Sequence, residues 1–270
     1  MTELFDLFKE ALAYPTKDYK AVLIFGVIFL LASLNSVFAA WQIELSPTLL
    51  GIFALISFLL YFVTEGYILS VMKESINLGD EIPVLDIVAN FIDGLKLLVI
   101  QIVYYIIPTI LVLIVGWLSG TFSAVFKIVE YVGDDLTNTT VNATTVVNSV
   151  PQDYWAALFT GLIITAIFAM ILYIIFGFLM EIAMCRLAKY DNIGEALNFR
   201  EVIEDIKKIG LGRYIGWYVL VIIICIILGI FMGIINCIPY IGILVGLLFI
   251  SPFISLFVAR SLGTLYSEVE

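Results

Sequence analysis

Six runs of roughly twenty apolar residues, 21–41, 49–71, 97–118, 155–180, 213–235 and 240–259, constrain this chain more than anything else in it. A helix needs about 20 such residues to cross the roughly 30 Å hydrocarbon core of a bilayer. A β-barrel would cross in strands of about ten residues with alternating polarity, and that alternation is missing. Inside lipid every backbone N–H and C=O must be satisfied within the segment, so each run predicts a helix. Composition closes the remaining routes: 63% of the 270 residues are apolar and 13% charged, against about 45–50% and about 25% in soluble domains. A net charge of −10 without a basic run argues against a nucleic-acid partner. The expected fold is an all-α integral membrane bundle of six transmembrane helices, forming one membrane domain over 1–270.

Cations predict the orientation, because Lys and Arg stay on the cytoplasmic side. With the N-terminus inside, Lys9, Lys17, Lys20, Lys73, Lys96, Arg186, Lys189, Arg200, Lys207, Lys208, Arg213 and Arg260 all fall inside, and Lys127 falls outside. This asymmetry predicts a multipass protein of the cell membrane with both termini cytoplasmic. The polar segment 119–154 becomes an extracellular loop. Within it Asn138-Thr139-Thr140 and Asn142-Ala143-Thr144 match the glycosylation sequon, making Asn138 and Asn142 candidate sites.

A short stretch with helical amphipathic spacing precedes each odd span: 3–13, 83–95 (led by Pro83) and 198–209. Such stretches predict interfacial helices lying in the headgroup layer. The resulting pattern of amphipathic helix plus helical hairpin divides the chain into three repeat units, 1–79, 80–194 and 195–270. Landmarks recur between units. Glu65 stands eight residues before Lys73 and Glu181 eight before Lys189, while Arg186 and Arg260 close spans 4 and 6.

Polar residues inside the spans are the candidate functional positions, since burying an acid in lipid costs roughly 2–4 kcal/mol unless it is paired or hydrated. Glu65 and Glu181 lead, followed by Gln101 and Asn35; Pro108 and Pro252 are expected to kink their spans. The spacings Gly116/Gly120, Gly212/Gly216, Gly229/Gly233 and Gly242/Gly246 predict close helix approaches. Trp41, Trp117, Trp155 and Trp217 fall near span ends, as in an aromatic belt. The chain has no histidine, no CxxC and no nucleophile–base motif, so no catalytic, metal-binding or cofactor-binding residue is expected. The expected function is non-enzymatic organisation of membrane or partner proteins. The alternative is a transporter or lipid-handling permease using Glu65 and Glu181. Expected partners are the lipid bilayer and either other membrane proteins or further copies of the chain.

Tyr14-Pro15-Thr16-Lys17-Asp18-Tyr19, Gly66-Tyr67, Gly79 with Pro83, Gly94-Leu95, Phe199-Arg200 and the Arg260–Tyr266 segment together resemble the domain-of-unknown-function 4013 family. Its members are mainly archaeal multipass membrane proteins of unknown activity. The resemblance implies a membrane fold and no particular mechanism.

Overall fold

Capping side chains set where the helices of this computed structural model begin; it describes residues 3–138 and 150–269. After α1 (Leu4–Ala13) and a 3-10 turn, Asp18 accepts hydrogen bonds from the N–H groups of Lys20 and Ala21 and starts α2 (Tyr19–Ala32). Ser46, followed by Pro47 in the first turn, starts α4 (Pro47–Ile76), and Asp86 caps α5 (Ile87–Leu118) through Val88 and Ala89. Each oxygen satisfies orphan N–H groups of a first turn. Between α2 and α4 lies α3 (Leu34–Ala40). Then come α6 (Thr121–Asn138), α7 (Gln152–Tyr190), α8 (Ile193–Ala196), α9 (Phe199–Ile209), α10 (Leu211–Asn236), α11 (Ile241–Val245) and α12 (Ser251–Tyr266). No strand occurs among the described residues.

Five helical stretches are long and apolar enough to cross a membrane: α4, α5, α7, α10 and Ile241–Tyr266. A sixth exists if α2 and α3, bent by 70°, count as one span. The bend falls where Ser33 N–H donates to Leu30 O, one residue short of the α-helical register. Span 1 over 21–41 is therefore a broken helix.

Several sequence expectations are corrected. Residues 83–95 do not form a separate interfacial helix. Pro83 precedes the helix, the cap is Asp86, and Ile87 onward is the start of the long α5, with no breaker before the apolar run. The segment 119–154 is not one polar loop, because α6 occupies Thr121–Asn138; Phe122, Val125, Phe126 and Val129 recur at helical spacing beneath its polar composition. Pro252 follows a wider π turn at Gly246–Ile250 inside the continuous stretch Ile241–Tyr266, a local departure from α-helical register. Of the four glycine pairs, Gly229/Gly233 faces open space, as do Gly120 and Gly212, whereas Gly116, Gly216, Gly242 and Gly246 meet neighbouring atoms. Trp217 is no belt residue; it is 1% exposed and donates to Ser261 Oγ at 3.2 Å.

Two compact units emerge. The first combines 1–101 and 179–270. Its core gathers Tyr14, Val22, Phe25, Tyr67, Val71, Leu256 and Ala259, where α12 runs along α4 and α2. Gly242, one of the marked glycines, is a close approach, since a Cβ there would lie 2.3 Å from Ile235 O. Others come from glycines that the four-residue spacing does not mark. A Cβ on Gly66 would lie 1.8 Å from Asn90 O, one on Gly94 1.9 Å from Phe62 O, and one on Gly26 2.1 Å from Leu248 O. At the first crossing buried Asn90 accepts from Asp86 N–H and donates to Ser70 Oγ at 2.8 Å. Helix α1 buries Leu7, Phe8 and Ala11, with the Phe8 ring 5.9 Å from Phe257, so much of its apolar stripe covers protein.

The second unit, 102–178, is a helical hairpin with α6 at its turn. Thr109 Oγ1 and Tyr173 OH are 2.7 Å apart, and the hydroxyls of Ser119, Thr121 and Thr165 form a cluster at 2.7–3.2 Å. Such hydroxyl contacts join helices where burial against lipid supplies little driving force.

Candidate functional site

Glu65 lies on α4 between buried Thr64 and Gly66, and Glu181 lies on α7 between buried Met180 and Ile182. Both acids are half-buried, and each stands within electrostatic reach of the other. Neither makes a hydrogen bond or ion pair with the described residues. The Glu181 charge also acts on buried Tyr214 of α10 and on Cys185, one turn further along α7. Cys185 Sγ is 3.6 Å from Met72 Sδ, a packing contact.

Of the other sequence candidates, Gln101 joins this region: its Oε1 meets Tyr61 OH at 3.5 Å, one turn of α4 from Glu65. Asn35 does not. Its Nδ2 donates to Leu50 O at 3.4 Å, fifteen residues or about 22 Å of helix from Glu65. Asn35 Oδ1 is buried without a partner among the described residues. Asn142 lies outside the described residues, and so does the side chain of Asn138.

The strongest polar constructions use Arg186 and Arg260. The Arg186 side chain is 4% exposed. Its guanidinium donates to Asp205 Oδ2 at 2.6 Å, to Glu195 Oε2 at 2.6 Å and to Glu195 O at 2.9 Å. Tyr266 OH adds a hydrogen bond to the same Asp205 oxygen at 2.7 Å. Arg260, also 4% exposed, donates to Glu10 Oε1 at 2.5 Å, to Gly79 O and, at 3.5 Å, to Asp80 Oδ1. Its guanidinium lies 4.9 Å from the centre of the Tyr14 ring, a cation–π geometry. Tyr14 OH donates to Glu81 O at 2.8 Å. Burial pushes the Tyr14 hydroxyl up in pKa, against the opposing charge of Arg260. Asp80 is held below the usual carboxylate range, first by the hydrogen bond from Lys17.

The two clamps match in register. Glu10 is the seventh residue of α1 and Asp205 the seventh of α9, and each is gripped by the arginine that closes an even span. Sequence reading marked the arginines but missed Glu10, Asp80, Glu195 and Asp205 as their partners. The common place of each acid in its short helix was the available signal. Elsewhere in this unit Arg213 pairs with Glu268, and Lys96 bridges Asp93 and Asp191 at 2.8 and 2.6 Å.

A family model described as a protein of unknown function, DUF4013, matches residues 49–237. The Tyr14–Tyr19 and Arg260–Tyr266 segments lie outside that match. No curated protein and no solved structure matches the chain.

Proposed function

The chain belongs to the DUF4013 family, and we propose that it is a non-catalytic membrane scaffold which holds short amphipathic helices at its cytoplasmic end to organise lipids or neighbouring proteins. The observation that carries this reading is the pair of buried arginine clamps. Arg186 ties Asp205 of α9 to Glu195 of α8, and Arg260 ties Glu10 of α1 to the Gly79–Asp80 turn, so each arginine anchors one short helix. A buried guanidinium is costly unless well paired, so these clamps specify where the helices sit. The cation asymmetry favours placing that end, and both termini, in the cytoplasm of a cell-membrane protein. The equivalent clamp positions also favour a repeat that relates units 1–79 and 195–270.

The second reading is a permease, favoured by one observation: Glu65 and Glu181 stand near each other without protein partners. A proton or small cation between two carboxylates in a low-dielectric region would relieve their repulsion. Proteoliposomes carrying a pH-sensitive dye separate the readings. The scaffold reading expects a proton leak equal to that of empty liposomes and unchanged by Glu65→Gln or Glu181→Gln. A leak well above background that Glu65→Gln abolishes overturns it in favour of the permease. In intact cells, an impermeant reagent should label a cysteine placed at Thr139 and spare one at Asn77, which checks the orientation; labelling at Asn77 rejects it.

A further inference from the structure

A groove of about 510 Å³ opens between α1 and α10, walled by Phe5, Phe8 and Leu12 on one side and by Leu220 and Ile224 on the other. Its lining is almost wholly apolar, and Lys9 is the one charged residue in it. Lys9 has no ion-pair or hydrogen-bond partner among the described residues. Asp6, one turn back on α1, is the acid within helical reach of Lys9, and no ion pair joins the two; Glu10 is engaged by Arg260. Leu220 and Ile224 lie nine and thirteen residues into α10, about 14 and 20 Å from its start. The groove therefore reaches acyl-chain depth in a spanning helix. A lysine stem lies along apolar surface while its ammonium reaches toward the polar layer. Phe5, 77% exposed beside the groove, keeps an apolar lip facing outward.

We propose that this groove binds one phospholipid of the surrounding leaflet, with an acyl chain between α1 and α10 and its phosphodiester at the Lys9 ammonium. The proposal rests on the scaffold reading, since Arg260 fixes α1 and thereby gives the groove its wall. The occupant follows from depth and charge. A slot open to the hydrocarbon layer along a spanning helix is filled by what that layer contains. The unpaired cation supplies the counter-charge for a phosphate.

Native mass spectrometry of the delipidated full chain in detergent tests this, with phosphatidylglycerol and a diacylglycerol of the same chains as probes. The expected result is roughly fivefold better retention of phosphatidylglycerol, the effect of one basic residue near a charged headgroup. Lys9→Gln should bring the two lipids level. Ile224→Trp fills the slot from the α10 wall and Leu12→Trp from the α1 wall; either variant should lose both lipids while keeping the wild-type melting point. Equal retention by wild type and the tryptophan variants that remain folded overturns the groove. A phosphatidylglycerol preference surviving Lys9→Gln overturns the phosphate contact. The proton-leak measurement is independent of these outcomes, so failure of the lipid site and failure of the scaffold reading are read separately.

Discussion

Replacing Arg186 by Met removes the centre of the α7–α9 clamp and leaves Asp205 with a side chain 3% exposed. Removing one partner of a buried ion pair costs about 3–5 kcal/mol, because the surviving charge has neither water nor a counter-ion. Two features here hold the cost near the lower end. Tyr266 OH still donates to Asp205, and Lys208 stands 3.5 Å from its other oxygen. Glu195, 46% exposed, returns to water at little cost. The expected loss is therefore about 3 kcal/mol. The double variant Arg186→Met/Asp205→Leu leaves no orphan charge and should recover most of that loss. Arg200→Ala breaks an exposed pair with Glu204, whose side chains are 84% and 42% accessible, and should cost at most about 0.5 kcal/mol. Reversible unfolding by SDS in mixed micelles measures all three. A single variant no worse than Arg200→Ala would refute the reasoning, as would a double variant as unstable as the single.

Gly66→Val should destabilise by at least about 2 kcal/mol in the same assay, since its side chain meets the backbone of Asn90 and Gly94. Gly51→Ala, with nothing within 4 Å, should match or exceed wild type; equal behaviour of the two would disprove the crossing. Asp80 has a folded pKa below its unfolded value of about 3.9. Its contribution is present above that value and is lost as pH falls through the lowered folded one. Asp80 is 66% exposed, so the effect is small and salt-sensitive. Melting points followed from pH 6 to pH 2.5 should fall less steeply for Asp80→Asn than for wild type, and parallel curves would count against the Lys17–Asp80 pair.

Fold class was legible in the sequence because lipid imposes a local rule: a segment of about twenty apolar residues must satisfy its own backbone, which only a helix does. Runs such as 155–180 and 213–235 needed no knowledge of their neighbours, and α1 and α9 showed themselves through spacing. Tertiary structure decided what spacing leaves open. Whether 83–95 ends before the span or flows into it depended on the Asp86 cap and on Gly94 lying against Phe62. Gly26, Gly66, Gly94 and Gly242 face another backbone, and only the last belongs to a four-residue glycine spacing, because that spacing describes one helix and not its neighbour. Glu65 and Glu181 could be matched by position, but their electrostatic contact depends on how α4 and α7 pack. Arg260 reaches Glu10 across 250 residues of chain; short-range chemistry wrote each helix, and only packing could choose which charge would be buried against which.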